Sequence, residues 1–133
     1  MSQRVHVAVG VIINDRGQVL LAKRPAHLHQ GGKWEFPGGK VEALEQVTDA
    51  LVRELAEEVN LTVHASTPFM LQSFDYSDKQ VLLDIHLISD FSGDAIGLEG
   101  QEVRWVNQAE LPSFDFPAAN QAIVEKLLEL SSH

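Results

Sequence analysis

The sequence predicts a single α/β domain in which a mixed β-sheet is flanked by helices. Its 133 residues suit one domain with one core, and 44% of them are hydrophobic. Strand-like segments rich in β-branched residues interleave with two helical segments, without the strict βαβ repetition of a parallel sheet. Neighbouring strands joined by short turns indicate hairpins, and hairpins beside helices favour a mixed sheet.

The first half of the chain is predicted to contain three strands and one helix. These segments are a strand at 4–13, a turn at 14–17 that makes a hairpin with a strand at 18–23, a short strand at 34–36 and a helix at 46–59. Pro, Gly and His predict a loop between residues 24 and 40, in which the Gly38-Gly39 pair marks a turn. The apolar positions of the helix form its expected core face: Leu51, Val52, Leu55, Ala56 and Val59.

The second half is predicted to add three strands and a final helix. These segments are strands at 69–76 and 80–88 around a turn at 77–79, a glycine-bearing loop at 90–100, a strand at 102–106 and a helix at 117–130. The pattern leaves residues 62–68 ambiguous between strand and loop. Pro117 suits a first helical turn, and the apolar positions of the final helix predict its core stripe: Ile123, Val124, Leu127 and Leu130.

Composition excludes several classes of function. The chain contains no cysteine, so disulfides, thiol catalysis and thiolate metal sites are excluded, as is typical of a cytoplasmic protein. No apolar run is long enough to span a membrane, and the opening segment alternates like a strand instead of resembling a signal peptide. The net charge of −9 argues against polymeric nucleic acid as a partner. A small anionic substrate remains compatible with it if cations assist.

Three glutamates on the first helix carry the chemical signal. At about 100° per residue, Glu54, Glu57 and Glu58 project within roughly one quadrant, away from the core face. Like charges at these spacings repel, so a counter-charge is expected. A solvated acidic face is the favoured interpretation of the three glutamates alone. The alternative is a divalent cation such as Mg²⁺ or Mn²⁺, because hard cations prefer oxygen ligands.

The surrounding spacing resembles the Nudix box of the Nudix hydrolases. Gly39 is followed after five residues by Glu45, and after seven more by Arg-Glu-Leu-Ala-Glu-Glu-Val-Asn-Leu at 53–61. The family signature has Gly where this chain has Asn60. That position follows the helix end, where a left-handed backbone is common and Asn is the usual second choice after Gly.

The resemblance implies an α/β/α sandwich around a mixed sheet and hydrolysis of a pyrophosphate linkage. It implies that Glu57, Glu58 and the Gly38 carbonyl are metal ligands and that Glu54 is a ligand or the catalytic base. Arg53 is also expected to assist catalysis, by orienting these carboxylates through a pair with Glu57 or with Glu45. The expected cofactor is Mg²⁺, for which Mn²⁺ can substitute.

Features outside the box resemble Nudix hydrolases of the MutT type in particular. The Glu99-Gly-Gln run implies a further metal ligand or base at Glu99, and Asn120 in Phe-Pro-Ala-Ala-Asn implies a reader of an oxidised guanine. An amide suits base reading, since it offers both a donor and an acceptor. The other implied substrate-binding residues are Arg24, His29, Glu35 and Lys79. Lys79 stands where the MutT-type enzymes that this chain resembles carry Arg, so it keeps the charge without the planar guanidinium group.

The implied activity is hydrolysis of 8-oxo-dGTP to 8-oxo-dGMP and pyrophosphate by metal-assisted water attack on the β-phosphorus. This reaction would cleanse the nucleotide pool and prevent replication errors. The expected partner is a small nucleoside triphosphate, and the chain at 1–133 is expected to act as one domain and a monomer. Two alternatives stay open, namely a pyrophosphohydrolase for CTP or other triphosphates and a catalytically silent nucleotide-binding module.

Overall fold

The structure is a computed structural model that describes residues 5–24, 31–77 and 79–131. The elements within these ranges, in chain order, are β1 (Val5–Ile12), β2 (Gln18–Lys23), β3 (Trp34–Glu35), β4 (Gly38–Lys40), α1 (Val47–Val59), β5 (Thr62–Asp75), β6 (Gln80–Ser92), β7 (Val103–Asn107), a 3₁₀ helix (Gln108–Ser113) and α2 (Ala118–Ser131). None of the helices in these ranges is long and apolar enough to cross a membrane.

The strands form two sheets. Four of them make a sheet in the order β4-β1-β6-β5, and the other three make a sheet in the order β3-β2-β7. The four-stranded sheet is mixed, because β1 pairs with β6 in parallel while the β1–β4 and β5–β6 pairs are antiparallel. The three-stranded sheet is antiparallel throughout.

The predicted hairpin between the first two strands is wrong. β1 and β2 belong to different sheets, and among the described residues the link between them is one isolated bridge from Ile13 to Val19. The turn itself forms as predicted, because the Asn14 side chain accepts hydrogen bonds from the backbone N–H groups of Arg16 and Gln18 (3.0 and 2.9 Å). β1 pairs along both of its edges, with β4 and β6, and those ladders leave no edge for β2.

The hairpin of β5 and β6 is confirmed, and both strands are longer than predicted. The ambiguous segment 62–68 lies within β5, and residues 90–92 of the predicted loop lie within β6. Three register irregularities occur between Val63 and Met70. They explain why this segment lacks the clean alternation by which a strand is recognised from sequence.

The two sheets together form the middle layer of an α/β/α sandwich, which confirms the predicted fold class. Alternate residues of β1 face opposite sides: Ala8 and Ile12 join a core with α1, whereas Val9 and Val11 join a core with α2. β2 alternates in the same way, with Leu20 in the α1 core and Val19 and Leu21 in the α2 core.

Most of the predicted helix core positions are buried, including Leu51, Leu55 and Val59 on α1. The core face is narrower than predicted, because Val52 and Ala56 are exposed. On α2 the stripe is confirmed at Ile123, Val124 and Leu127, and Leu130 is wrong with 53% of its surface exposed. Leu130 lies in the last turn of α2.

Candidate active site

Two glycines bring a strand close to helix α1. Gly38 and Gly39 lie in β4, paired with Val9 and Ala8 of β1, and so form a strand where a turn was predicted. A Cβ at position 38 would collide with the Ala8 carbonyl oxygen, and one at position 39 would collide with the Glu54 carboxylate. The glycines therefore permit strand pairing on one side and a carboxylate against the strand on the other.

Arg53 organises the acidic residues at the start of the site. Its Nε and Nη2 donate to both oxygens of Glu45 (2.9 Å each), Nη1 donates to Glu54 Oε1 (2.7 Å), and Nη2 also donates to the Lys40 carbonyl oxygen (3.0 Å). Hydrogen bonds from Arg53 hold the pKa of Glu45 at about 2. The predicted orienting contact of Arg53 with Glu45 is thus present, and Glu57 Oε2 lies farther away, 3.6 Å from Nη1.

Glu58 is the buried member of the carboxylate cluster. Burial, together with the charges of Glu35, Glu54 and Glu99, raises the pKa of Glu58 to about 9. Its Oε2 is buried and has no hydrogen-bond partner among the described residues. A buried carboxyl oxygen without a donor, surrounded by like charges, is the arrangement that a cation would complete.

The predicted ligands line one cleft, with one exception. Glu54, Glu58, Glu99 and Gly38 all line it, whereas Glu57 lies outside its lining and its side chain is 60% exposed. Among the described residues, no three acidic or histidine side chains are already arranged as a complete metal-binding group. Arg53 helps to keep these carboxylates apart, because it binds one Glu54 oxygen and lies beside Glu57.

The donor set nevertheless fits a hard divalent cation. Carboxylate oxygens with a backbone carbonyl are the ligands that Mg²⁺ and Mn²⁺ prefer. Four basic side chains line the same cleft and would attract an anionic substrate to it, namely Lys23, Arg24, Lys40 and Lys79. The cleft therefore combines groups for a cation with groups for phosphate.

A second cleft adjoins the first and is called the apolar cleft, because more than half of its lining residues are apolar. These apolar residues come from β1, from β6, from the segment between β3 and β4, and from the start of α2 with the residue before it: Val7, Val9, Val81, Leu83, Phe36, Pro117 and Ala119. Asn120 lies in its lining, and Arg24, Glu35, Gly38 and Lys79 line both clefts. The residues predicted from the sequence to bind substrate are thus brought together at the junction, except His29, which lies outside the described residues.

Arg24 and Glu35 form an ion pair at this junction. Arg24 Nη1 donates to both Glu35 oxygens (2.7 and 3.1 Å), and both side chains are mostly buried. Burial raises the pKa of Glu35, and Arg24 opposes that shift. The Glu35 carboxylate, held by Arg24, therefore lies at the edge of the apolar cleft, where it can accept hydrogen bonds.

Sequence reasoning missed two residues of the site. Tyr76 lines the apolar cleft, and its hydroxyl accepts a hydrogen bond from the Ala119 N–H (2.9 Å). Gln101 lines the carboxylate cleft. The available sequence signal was that Tyr76 lies close to Lys79 along the chain and that Gln101 lies close to Glu99. The contacts of both residues are with distant segments, which a local sequence pattern does not show.

The comparison with protein families decides the identity of the fold. Residues 8–126 match the model of the NUDIX domain, which spans the carboxylate cleft and Asn120. The chain belongs to the Nudix family. As a Nudix hydrolase it is a member of a family that generally uses a divalent metal, in agreement with the donor set of the cleft.

Relatives of this Nudix hydrolase include two enzymes of Escherichia coli K12. One, an 8-oxo-dGTP diphosphatase, is 35% identical over 96% of this chain and 99% of its own. The other, a CTP pyrophosphohydrolase, is 34% identical over 92% of this chain and 90% of its own. A solved structure, from work on MutT of Aliivibrio salmonicida and Vibrio cholerae, has a TM-score of 0.84 and 40% identity over 96% of this chain and 99% of that chain.

Proposed function

We propose that this Nudix hydrolase cleaves 8-oxo-dGTP to 8-oxo-dGMP and pyrophosphate in a Mg²⁺-dependent reaction, acting as a monomer with one domain. The observation that carries the proposal is the junction of the two clefts. An apolar cleft with Asn120 in its lining suits a flat base, and it opens onto carboxylates and basic side chains that suit a triphosphate.

Each wall of the junction has a separate task in this proposal. Val7, Val9 and Leu83 exclude water from the base, and the Asn120 amide hydrogen-bonds its edge. Lys79 and Arg24 neutralise phosphate charge where the two clefts meet. These contacts orient the substrate so that its β-phosphorus lies near the carboxylates of Glu54 and Glu99.

The chemistry requires a deprotonated water and neutralised phosphate oxygens. A Mg²⁺ ion held by Glu54, Glu57, Glu58, Glu99 and the Gly38 carbonyl would supply charge neutralisation and acidify water. Glu54 or Glu99 accepts the proton as the water oxygen bonds to the β-phosphorus. The bond from that phosphorus to the α,β-bridging oxygen breaks, which releases 8-oxo-dGMP and pyrophosphate. Arg53 keeps the Glu54 carboxylate oriented during this step.

A CTP pyrophosphohydrolase is the second candidate, and the 34% identity to such an enzyme supports it. A comparison of kcat/KM for 8-oxo-dGTP, dGTP and CTP in Mg²⁺ separates the two. We expect the highest value for 8-oxo-dGTP and loss of pyrophosphate release in EDTA. A preference for CTP, or equal values for the two purines, would contradict the proposed substrate. Absence of Mg²⁺-dependent release from every nucleotide would favour a silent binding module.

A further inference from the structure

The loop at 94–101 is attached to the carboxyl end of α1. The backbone N–H of Ile96 donates to the Val59 carbonyl oxygen (3.0 Å), and the N–H of Leu98 donates to the Glu58 carbonyl oxygen (2.9 Å). These bonds satisfy carbonyl groups that a helix leaves free at its last turn. The loop that carries Glu99 is therefore supported by the same helix that carries Glu54 and Glu58.

The side-chain amide of Gln101 joins the two acidic residues through their backbones. Its Nε2 donates to the Glu58 carbonyl oxygen (3.0 Å), and its Oε1 accepts a hydrogen bond from the Glu99 N–H (2.9 Å). Gln101 is half-buried and lines the carboxylate cleft. Both functional ends of the amide are thus engaged, each with a residue of the carboxylate cluster.

The loop is also tightly folded. A Cβ at Gly97 would collide with the Gln101 carbonyl oxygen, and the Gly100 N–H donates to the Gly97 carbonyl oxygen (3.2 Å). At the other end of the loop, Asn60 adopts the left-handed conformation (φ 64°), and its Nδ2 donates to the Asp94 carbonyl oxygen (3.1 Å). A glycine at position 60 would offer the same backbone without this bond.

Electrostatics explains why such support is needed. Glu99 is exposed, and it lines the same cleft as Glu35, Glu54 and Glu58. Like charges repel, so an unrestrained Glu99 would turn toward solvent and away from the other carboxylates of the cleft. Holding its backbone by hydrogen bonds keeps the carboxylate at the cleft despite this repulsion.

We propose that Gln101 is a positioning residue that holds Glu99 beside Glu58, and that Asn60 anchors the start of the same loop. The role of Glu99 rests on the proposed function, so the experiment is designed to distinguish failure of the proposed function from failure of the positioning role of Gln101. If Gln101 is only a structural loop residue, its loss lowers the free energy of unfolding. It then also lowers kcat by the same factor in the presence and in the absence of the Glu99 carboxylate.

A double-mutant cycle distinguishes these cases. Gln101→Met keeps the length of the side chain and removes both hydrogen bonds, and Glu99→Gln removes the carboxylate. We expect Gln101→Met to lower kcat for nucleoside triphosphate hydrolysis by about tenfold or more, since small misplacements of catalytic groups are costly. KM should change less than kcat. In the Glu99→Gln background the same substitution should have little further effect, because the positioned group is already missing.

Gln108→Met is the matched control. Gln108 Nε2 donates to the Gly17 carbonyl oxygen (2.9 Å), which is the same kind of bond at a partly buried position outside both clefts. Its loss should leave kcat and KM unchanged. Asn60→Gly should have a smaller effect than Gln101→Met, and this effect should also vanish without Glu99. If Gln101→Met unfolds the protein, Gln101→Asn serves instead, because the shorter amide cannot reach both partners.

Equal effects of Gln101→Met in both backgrounds would overturn the proposal, as would full kcat in Gln101→Met. Titration calorimetry with Mn²⁺ gives a readout that needs no substrate. We expect Gln101→Met and Glu99→Gln to weaken Mn²⁺ binding alike, and the double variant to bind no more weakly than either. A parent protein that hydrolyses no triphosphate refutes the proposed function, and in that case unchanged Mn²⁺ affinity in Gln101→Met refutes the positioning role separately.

Discussion

Asn120 shows how one side chain is placed by backbone geometry. It lies in the first turn of α2, where its N–H donates to the Pro117 carbonyl oxygen (2.9 Å), and the neighbouring Ala119 N–H donates to the Tyr76 hydroxyl (2.9 Å). The second bond ties the start of the helix to Tyr76, which directly follows β5. Asn120 therefore lines the apolar cleft from a fixed helix turn, which suits the proposed reading of a base.

Asn120→Ala is expected to lower the preference for 8-oxo-dGTP over dGTP by about tenfold, because hydrogen bonds to a base edge contribute roughly 1–3 kcal/mol of discrimination. The turnover of dGTP should change much less. The measurement is the ratio of kcat/KM for the two substrates. Asn107→Ala, at an exposed asparagine on β7, is the control that should keep the ratio. An unchanged ratio in Asn120→Ala would remove this residue from base reading.

At the scale of elements, β4 decides whether the carboxylates of α1 approach the sheet. The two adjacent glycines of β4 have different surroundings, since the nearest atoms to a side chain at Gly38 belong to the backbone of β1 and those to one at Gly39 belong to the Glu54 carboxylate. A backbone obstacle forces the strands apart, whereas a side-chain obstacle can rotate away. We therefore expect a side chain at Gly38 to affect mainly stability and one at Gly39 to affect mainly catalysis.

Gly39→Ala is expected to lower kcat by at least about tenfold with a small change in Tm, because Glu54 must move from its position beside Arg53. Gly38→Ala should instead destabilise the fold by about 1–3 kcal/mol, the usual cost of overpacking. Thermal unfolding and kinetics of the two variants side by side test this division. A Gly39→Ala variant with full kcat, or a Gly38→Ala variant as stable as the parent, would contradict it.

At the scale of the whole molecule, the site lies where the two sheets and both helices meet. α1 supplies Glu54 and Glu58, the loop between β6 and β7 supplies Glu99, and α2 supplies Asn120. Concentrating carboxylates in this way works against the folded state unless a cation is bound. We therefore expect metal binding to be coupled to stability, most strongly at the buried Glu58.

Glu58→Gln is expected to raise Tm by several degrees in EDTA at pH 8. The pKa of Glu58 is about 9 in the folded protein against an ordinary 4.5. The stability from its protonated form is thus fully present below about 4.5, declines as pH rises, and is lost above about 9. Gln stays neutral throughout, so the variant should match the parent near pH 4.5 and exceed it at pH 8.

Mg²⁺ should reverse the order of stability of the parent and Glu58→Gln at pH 8. The parent is expected to gain stability from Mg²⁺ at pH 8, and Glu58→Gln should gain less because a ligand is missing. Thermal unfolding at pH 5 and pH 8, each in EDTA and in Mg²⁺, measures both effects. A Glu58→Gln variant less stable than the parent at pH 8 in EDTA would show that the Glu58 carboxylate does not destabilise the folded protein.

The sequence by itself determined the family, the cluster of carboxylates and the two helices. Fixed spacings such as that of Arg53 and Glu57 are local, because helix geometry makes residues four apart neighbours on one face. For the same reason Asn60 is confirmed as the left-handed residue after α1 (φ 64°). The metal-ligand and substrate-binding roles of individual residues remain predictions.

Only the tertiary structure decided how distant segments meet. It separated β1 from β2, because pairing along both edges of β1 depends on β4 and β6, far apart in the chain. It also joined the Asn120 cleft to the carboxylate cleft and placed Gln101 between Glu58 and Glu99. Such contacts depend on the packing of strands and loops against one another, which periodicity along a single segment does not determine.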